Sequence, residues 1–185
     1  DVAAITNIGI SHIENLGTQE NILKAKLEIL DGAAYDAPLI LCRDDKLLAG
    51  VQLHSDRKVY YYSVSKKDCD VYASGVKTVD NSITFTINYE GGKIAAQINC
   101  LGEHNVKNAL AAFCVGLALD IPPEDIVKGI AQFKPEGLRQ NVTVIDGVTY
   151  IVDCYNAAPD SMKASLSVLS QAQAEGKRIC VLGDM

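Results

Sequence analysis

The sequence contains no apolar stretch of membrane-spanning length, no run of basic residues, no CxxC pair and no histidines at zinc-finger spacing. The first absence argues against a transmembrane helix, which needs about 20 apolar residues. The second, with a net charge of -6, argues against nucleic acid as the main partner. Six scattered cysteines predict reduced, mostly buried thiols. Because no signal-peptide pattern is recognisable either, we expect a cytoplasmic protein.

The composition is that of a folded protein. Its 185 residues are 48% hydrophobic and 22% charged, enough for one domain, or one domain and part of another. The sequence opens on a strand pattern, "DVAAITNIGI", and closes on "KRICVLGDM", a buried-type strand. Since a parallel strand of this kind usually feeds a helix, we expect the chain to be a piece of a longer protein.

Hydrophobic periodicity predicts an α/β fold. The first part reads as a strand at about 2–8, a helix at about 18–31 and a strand at "APLILCR". Four further strands follow, and a Gly91-Gly92 turn predicts a hairpin between the last two. Two helices, in "NVKNALAAFCVGLALD" and "PEDIVKGIAQF", complete this part.

The pattern changes at about residue 135, where we place a domain boundary. Strand, turn and strand follow in "VTVIDGVTYIVD", then a helix from Ser161, and then the strand at the end of the sequence. The predicted domains are therefore 1–134 and 135–185.

Two lysines lie close together in the helix predicted at 18–31. Residues four apart share a helix face, which places Lys24 between two glutamates on the solvent side. Lys26 falls between Ile22 and Leu30, on the side that a globular helix turns inward. Burial lowers the pKa of a lysine, and a neutral amine can react with carbon dioxide to give a carbamate. The alternative is a lysine whose stem packs while its ammonium reaches water.

His12 lies in the loop between the first predicted strand and that helix. An imidazole beside a carbamate would make a Mg²⁺ site once phosphate oxygens join them. The alternative is a histidine that caps or hydrogen-bonds the local backbone. Lys26, as a carbamate, and His12 are therefore the candidate metal ligands.

Polar side chains also converge where the helix in "LGEHNVKNALAA" begins. His104 and Asn105 precede the predicted helix, and Asn108 lies in its first turn. Their imidazole and amide edges are the groups that an adenine needs for hydrogen bonding. Simple N-capping by Asn105 is the alternative.

In "EGLRQ", Gly137 permits a tight turn and Arg139 follows it at the predicted domain boundary. An arginine at a hinge can reach a phosphate held by the other lobe, with a bidentate geometry that lysine lacks. The alternative is an ordinary surface arginine.

In "DCYNAAPDSMKASL", Asp153 ends a predicted strand, and Tyr155 and Asn156 occupy the next loop. Ligands of α/β sheets bind at the carboxyl ends of strands, so Asp153 is a candidate for binding a ribose hydroxyl. Alternatively, Asp153 only ends the strand and Asp160 or Ser161 caps the next helix. These residues by themselves indicate a nucleotide-linked α/β enzyme.

Three motifs in order resemble the Mur ligase family: "TNIGISHIENLGTQENILKAKLEI", "LGEHNVKNALAA" and "DCYNAAPDSMKASL…ICVLGDM". The similarity runs through nearly the whole chain, and the β-rich middle is its least distinctive part. The resemblance implies part of the central ATP-binding domain, with an antiparallel β subdomain, over 1–134. It further implies the start of a Rossmann-like, acceptor-binding C-terminal domain over 135–185.

The resemblance also implies an activity. "IENLGT" and "YNAAPDSM" are similar to the member that adds D-alanyl-D-alanine to UDP-N-acetylmuramoyl tripeptide during peptidoglycan synthesis. Such an enzyme is an ATP-dependent amide ligase that works through an acyl phosphate, with ATP and Mg²⁺ as cofactors. We expect it to be a monomer at full length, with those two substrates as partners.

Carried over by position, the resemblance gives roles to nine residues. Lys26 would be the carbamylated lysine and His12 the metal-linked histidine. Arg139 would approach the ATP phosphates, and Asp153 would bind the ribose. The adenine-side motif would be His104, Asn105 and Asn108, and the nucleotide- and acceptor-side loop would be Tyr155 and Asn156.

Two departures from the family pattern limit these expectations. A glycine-rich phosphate loop of the GxxGKT type does not occur in the 185 residues, so we expect them to be inactive alone. Ala158 stands where the family usually has asparagine. The alternatives are a related ligase of the folylpolyglutamate or cyanophycin type, and a non-catalytic paralogue.

Overall fold

The computed structural model describes residues 1–10, 13–53, 56–135 and 137–184. Within these ranges, eight strands and six α-helices form a larger unit and a smaller one that follows it. The strands are β1 (Ala3–Ile5), β2 (Leu39–Cys42), β3 (Val59–Ser63), β4 (Val71–Val79), β5 (Ser82–Tyr89), β6 (Gly92–Ile98), β7 (Asn141–Ile145) and β8 (Val148–Val152). The helices are α1 (Ile13–Leu16), α2 (Gln19–Leu27), α3 (Lys46–Ala49), α4 (Glu103–Ala118), α5 (Pro123–Gln132) and α6 (Pro159–Gln171).

The larger unit is built on one six-stranded sheet in the order β1-β2-β3-β4-β5-β6. The pairs β1–β2, β2–β3 and β3–β4 are parallel, and the pairs β4–β5 and β5–β6 are antiparallel. All four residues of β2 are buried, as expected for a parallel strand covered on both faces. Tyr89 pairs with Gly92 across the tight turn that joins β5 to β6, which confirms the predicted hairpin. The prediction of an α/β fold with an antiparallel part is confirmed as well.

The core lies between this sheet and α4, which packs on β2, β3 and β4. Val106, Leu110, Phe113 and Cys114 are fully buried, and they recur at the spacing that places residues on one helix face. The Phe113 ring contacts the ring of Tyr89 edge-to-face, with centroids 5.3 Å apart. The periodicity of this segment therefore corresponds to real burial.

The smaller unit consists of the β7–β8 hairpin and α6. Asp146 and Gly147 turn the chain between the two strands, both with positive φ (50° and 77°), as a two-residue hairpin loop requires. Helix α6 begins at Pro159, two residues before the predicted start at Ser161.

The prediction of a last strand in "KRICVLGDM" is wrong for the described residues. Residues 172–184 form neither strand nor helix, and Ile179, Val181 and Leu182 are 76%, 92% and 58% exposed. A strand needs a neighbour to complete its hydrogen-bond ladder. Strands β7 and β8 pair only with each other, so no described strand accepts this segment.

All six cysteines lie among the described residues, and all are free. Cys42, Cys100 and Cys114 are buried, and burial raises the pKa of each thiol, that of Cys100 to about 11. The prediction that most of the cysteines are buried is wrong, because Cys69 is only partly buried and Cys154 and Cys180 are exposed. No helix among the described residues is long and apolar enough to cross a membrane.

Candidate functional site

Helix α4 begins with a glycine and not with a capping side chain. Gly102 is the N-cap residue, with φ of 96°, so His104 and Asn105 lie inside the first turn. The expectation that they precede the helix, and the alternative that Asn105 caps it, are both wrong. A Cβ atom on Gly102 would lie 2.5 Å from Cε1 of His104. The absence of a side chain at Gly102 therefore leaves room for the imidazole.

Asn105 lies at the centre of a chain of side-chain amides. Its Nδ2 donates to the Leu101 carbonyl oxygen at 2.7 Å and to Oε1 of Gln140 at 3.0 Å. Its Oδ1 accepts a bond of 3.4 Å from Nδ2 of Asn108. Asn105 and Asn108, predicted from one motif, thus connect to a residue that sequence reasoning missed. The only sequence signal for Gln140 is its position directly after Arg139.

His104 belongs to the larger unit and Asp153 to the smaller one, and the charge of Asp153 affects the imidazole. Burial lowers the pKa of His104 below its ordinary value, and the carboxylate of Asp153 opposes this shift. Asp153 follows β8, and its Oδ2 accepts a hydrogen bond from the Ser165 hydroxyl of α6. The imidazole is therefore favoured in its neutral form, which offers one donor and one acceptor.

Arg139 and Tyr155 also meet across the smaller unit. The guanidinium carbon of Arg139 lies 4.1 Å from the Tyr155 ring centroid, although Tyr155 is 65% exposed. Asn156 uses its Oδ1 to accept from the Ala157 backbone N–H at 2.9 Å, so it stabilises its own loop. All three predicted residues of this loop and turn are on the surface.

A cavity of about 590 Å³ opens beside the amide chain, between α4, α5 and β6. Asn105 and Asn108 lie in its wall, together with Asp125. The rest of the lining is mostly apolar and includes Ile98, Cys100, Ala109, Ala112, Ile130 and Phe133. Apolar walls with a few polar groups are typical of small-molecule sites.

Lys26 is not on an inward face, so that prediction is wrong. Its side chain is exposed, and Nζ donates to the Asn7 carbonyl oxygen at 2.8 Å. Helix α2 ends at Leu27 and tightens into a 3-10 turn over Glu28–Leu30, so the face expected to continue to Leu30 is broken. Lys24 is exposed, as predicted. The ammonium of Lys26 nevertheless reaches the end of β1.

Only one of the two predicted magnesium ligands, Lys26, lies among the described residues. His12 lies outside the described residues, and an ammonium such as that of Lys26 has no lone pair for a metal. No group of three or more His, Cys, Asp or Glu side chains in the described part of the chain is placed to hold a metal ion. Lys26 would ligate a metal only as a carbamate.

Ala158 occupies the N-cap position of α6. Its backbone is extended (φ -143°, ψ 151°), as an N-cap residue should be, but its methyl group cannot accept a hydrogen bond. Ser161 supplies half of a capping box, because its Oγ accepts from the Ala158 N–H at 3.1 Å. An asparagine here would supply the missing acceptor and complete the cap.

The structure thus gathers most of the predicted residues at one place. His104, Asn105 and Asn108 from α4 meet the segment of Arg139 and Gln140 and the end of β8 at Asp153. Lys26 lies apart from them on α2, at the carboxyl end of β1. The polar cluster at the start of α4 is therefore the candidate site.

Comparison with protein-family models gives two matches along the chain. The model described as the Mur ligase middle domain matches residues 1–116. The model described as Mur ligase, glutamate ligase domain matches residues 138–185.

Curated relatives match over nearly the full chain. The UDP-N-acetylmuramoyl-tripeptide--D-alanyl-D-alanine ligase of Bacillus subtilis is 39% identical over 186 residues, which are 100% of this chain and 39% of that protein. The ligase of the same name from Treponema pallidum is 33% identical, over 99% of this chain and 38% of that protein. The chain therefore spans about two fifths of the length of the curated relatives it matches.

A solved structure agrees with these matches. Crystal structure I of MurF from Acinetobacter baumannii superimposes with a TM-score of 0.86 at 32% identity. The match covers 93% of this chain and 38% of that one.

Proposed function

Because this chain belongs to the Mur ligase family, we propose that it is part of an ATP-dependent ligase that joins D-alanyl-D-alanine to UDP-N-acetylmuramoyl tripeptide. The predicted family and fold class are confirmed. The activity is proposed for the protein that carries this chain, since the curated relatives are longer. We further propose domain limits of 1–134 and 135–185, a cytoplasmic location and a monomeric state.

The observation that carries the proposal is the contact between the "LGEHNVKNALAA" motif and the "EGLRQ" segment. Asn105, from the adenine-side motif, hydrogen-bonds Gln140 at 3.0 Å, next to the arginine predicted to reach the phosphates. The carboxylate of Asp153, the predicted ribose ligand, acts electrostatically on His104 by opposing the lowering of its pKa. A nucleotide could therefore meet its base-side, ribose-side and phosphate-side groups in one place.

These residues would act by binding and orienting. Asn108 would present its amide to the adenine edge in the cavity wall, and neutral His104 would add one donor or acceptor. Asp153 would accept from a ribose hydroxyl, although Ser165 already occupies part of its carboxylate. ATP, once bound, supplies the phosphoryl group that activates the tripeptide carboxylate as an acyl phosphate.

Arg139 would act on the phosphate groups of ATP, where negative charge accumulates during phosphoryl transfer. Its guanidinium lies on the Tyr155 ring, which leaves the edge nitrogens directed away from the ring face. A planar fork of donors suits phosphate oxygens, and such charge stabilisation is usually the largest single contribution to catalysis. Lys26 is proposed to contribute as a carbamate at the carboxyl end of β1, with His12.

The test is an acceptor-dependence assay on the protein that carries this chain. With ATP and UDP-N-acetylmuramoyl tripeptide present, we expect phosphate release and a new amide product only when D-alanyl-D-alanine is added. L-alanine and D-glutamate serve as matched controls, because other members of the family join single amino acids. Product formed with a single amino acid, and not with the dipeptide, would assign the chain to another ligase. A full-length protein without any ligation would favour the non-catalytic alternative.

A further inference from the structure

Gln140 holds an unfavourable backbone conformation at the junction between the two units. Its φ is 44°, in the left-handed region that residues with a Cβ atom rarely adopt. It is partly buried, and it lies between Arg139 and the first residue of β7. A non-glycine residue persists in this region only where the surrounding structure holds it, so the contacts of the Gln140 side chain must offset the strain.

The side chain of Gln140 completes the hydrogen bonding of Asn105. One Nδ2 hydrogen of Asn105 goes to the Leu101 carbonyl and the other goes to Oε1 of Gln140. An amide with both hydrogens bonded has only one satisfactory orientation, because a flip would turn its oxygen towards two acceptors. Oδ1 of Asn105 must then point towards Asn108.

We propose that Gln140 is a positioning residue: it fixes the amide of Asn105, and through it the amide of Asn108, so that Asn108 presents a defined edge to the cavity. The proposal rests on the proposed function only for the identity of the ligand, a purine nucleotide. The fixing of Asn105 is a property of the chain itself.

The direction of the bonds decides what Asn108 can offer. Asn108 donates one Nδ2 hydrogen to Oδ1 of Asn105 at 3.4 Å, and its side chain is exposed in the cavity wall. Within the described residues no hydrogen bond occupies its Oδ1, so a donor and an acceptor remain side by side. A carboxamide in this state is complementary to an adenine edge, which pairs one acceptor nitrogen with an amino group.

The test compares three forms of the 185-residue chain by NMR of the side-chain amides. Gln140→Gly removes the acceptor, and glycine tolerates the positive φ, so the backbone conformation is kept. Gln140→Glu retains an oxygen acceptor on a side chain of the same length. In the parent, both Nδ2 protons of Asn105 should exchange slowly with water.

We expect Gln140→Gly to speed exchange of one Asn105 Nδ2 proton about 10-fold, the equivalent of one lost hydrogen bond, while Gln140→Glu keeps it slow. Asp80→Gly is the matched control, because Asp80 also has a positive φ (52°) but lies in the turn between β4 and β5. It should leave Asn105 unchanged. Identical Asn105 resonances in Gln140→Gly and the parent would overturn the proposal, as would loss of the slow proton in Gln140→Glu.

A second readout addresses the nucleotide. In the protein that carries the chain, Gln140→Gly should raise KM for ATP about 10-fold with a smaller change in kcat, and Gln140→Glu should restore KM. A fall in kcat at constant KM would contradict positioning on the adenine side. If the unsubstituted protein that carries the chain has no ATP-dependent activity, the proposed function fails. The exchange rates of the Asn105 amide protons still test the role of Gln140.

Discussion

The guanidinium carbon of Arg139 lies 4.1 Å from the ring centroid of Tyr155, so the turn before β7 packs on the loop after β8. Such a cation–π contact contributes about 0.5–1 kcal/mol at an exposed site, which is enough to favour one rotamer of a long side chain. The contact restrains Arg139 without burying it. An arginine held in this way remains available to a phosphate.

Replacing Arg139 by lysine tests its proposed catalytic role. In the protein that carries this chain, Arg139→Lys should lower kcat roughly 10-fold or more, the equivalent of one charge-assisted hydrogen bond, and raise KM for ATP less. The reason is that the contact with phosphate should strengthen in the transition state. Steady-state kinetics over a range of ATP concentrations measure both constants. Tyr155→Phe keeps the ring and is the control, and equal turnover in Arg139→Lys and the parent would reject the role.

The sequence predicted elements best where local pattern and burial agree. The apolar spacing in α4 corresponds to the buried face of Val106, Leu110 and Phe113, and the Gly91-Gly92 turn lies between paired strands. Both signals depend only on residues that are near one another in the sequence, so a local sequence pattern is enough to reveal them.

Contacts between distant segments could not be predicted in the same way. The helical spacing of Lys26 gave its direction on an ideal helix, but not the end of α2 at Leu27 or the reach of Nζ to Asn7. Gln140 has no recognisable motif, because its role depends on φ at one residue and on Asn105, 35 positions away. The strand pattern in "KRICVLGDM" likewise says nothing about a pairing partner.

Ala158→Asn should stabilise the chain. The position has N-cap backbone geometry without a side-chain acceptor, and asparagine there would accept from a free N–H of the first turn of α6. We expect a gain of about 1 kcal/mol in the free energy of unfolding, visible as a higher urea midpoint with an unchanged slope. Ala157→Asn, one position earlier, is the control. No gain in Ala158→Asn over that control would show that the cap is not formed.

Gly102→Ala should destabilise the start of α4. The substitution places a Cβ at φ of 96° and 2.5 Å from Cε1 of His104, so the backbone is strained and the imidazole must move. We expect a loss of about 1–3 kcal/mol. Gly129→Ala in α5 is the matched control, since a Cβ there meets nothing within 4 Å, and it should be stabilising by up to about 1 kcal/mol. Urea denaturation of both variants measures the difference, and equal effects would argue against the contact with His104.

His104 should make stability depend on pH. Because burial holds its pKa below the ordinary value of 6.5, the unfolded chain binds a proton more readily than the folded chain. Its contribution is therefore complete above about pH 6.5 and is lost as the pH falls through the folded pKa. Urea midpoints at pH 7.5 and 5.0 should fall further in the parent than in His104→Gln. Since both chains share His12 and His54, the difference isolates His104, and equal falls would contradict the prediction.

Lys26 has two possible chemical roles, as an ammonium or as a carbamate, and substitution of this exposed side chain distinguishes them. As an ammonium it donates to the Asn7 carbonyl oxygen and stabilises the end of β1, a surface contact of small energy. As a carbamate it would be an anionic group whose loss costs about 10²-fold in rate. In the protein that carries this chain, we expect Lys26→Ala to lose about 10²-fold in kcat. Lys24→Ala, an equally exposed lysine of the same helix, should lose almost nothing. Added formate should partly restore Lys26→Ala, because it replaces the missing carboxylate, and chloride at equal ionic strength should not. Near-parental activity of Lys26→Ala, or equal effects of the two anions, would leave Lys26 as an ordinary surface lysine.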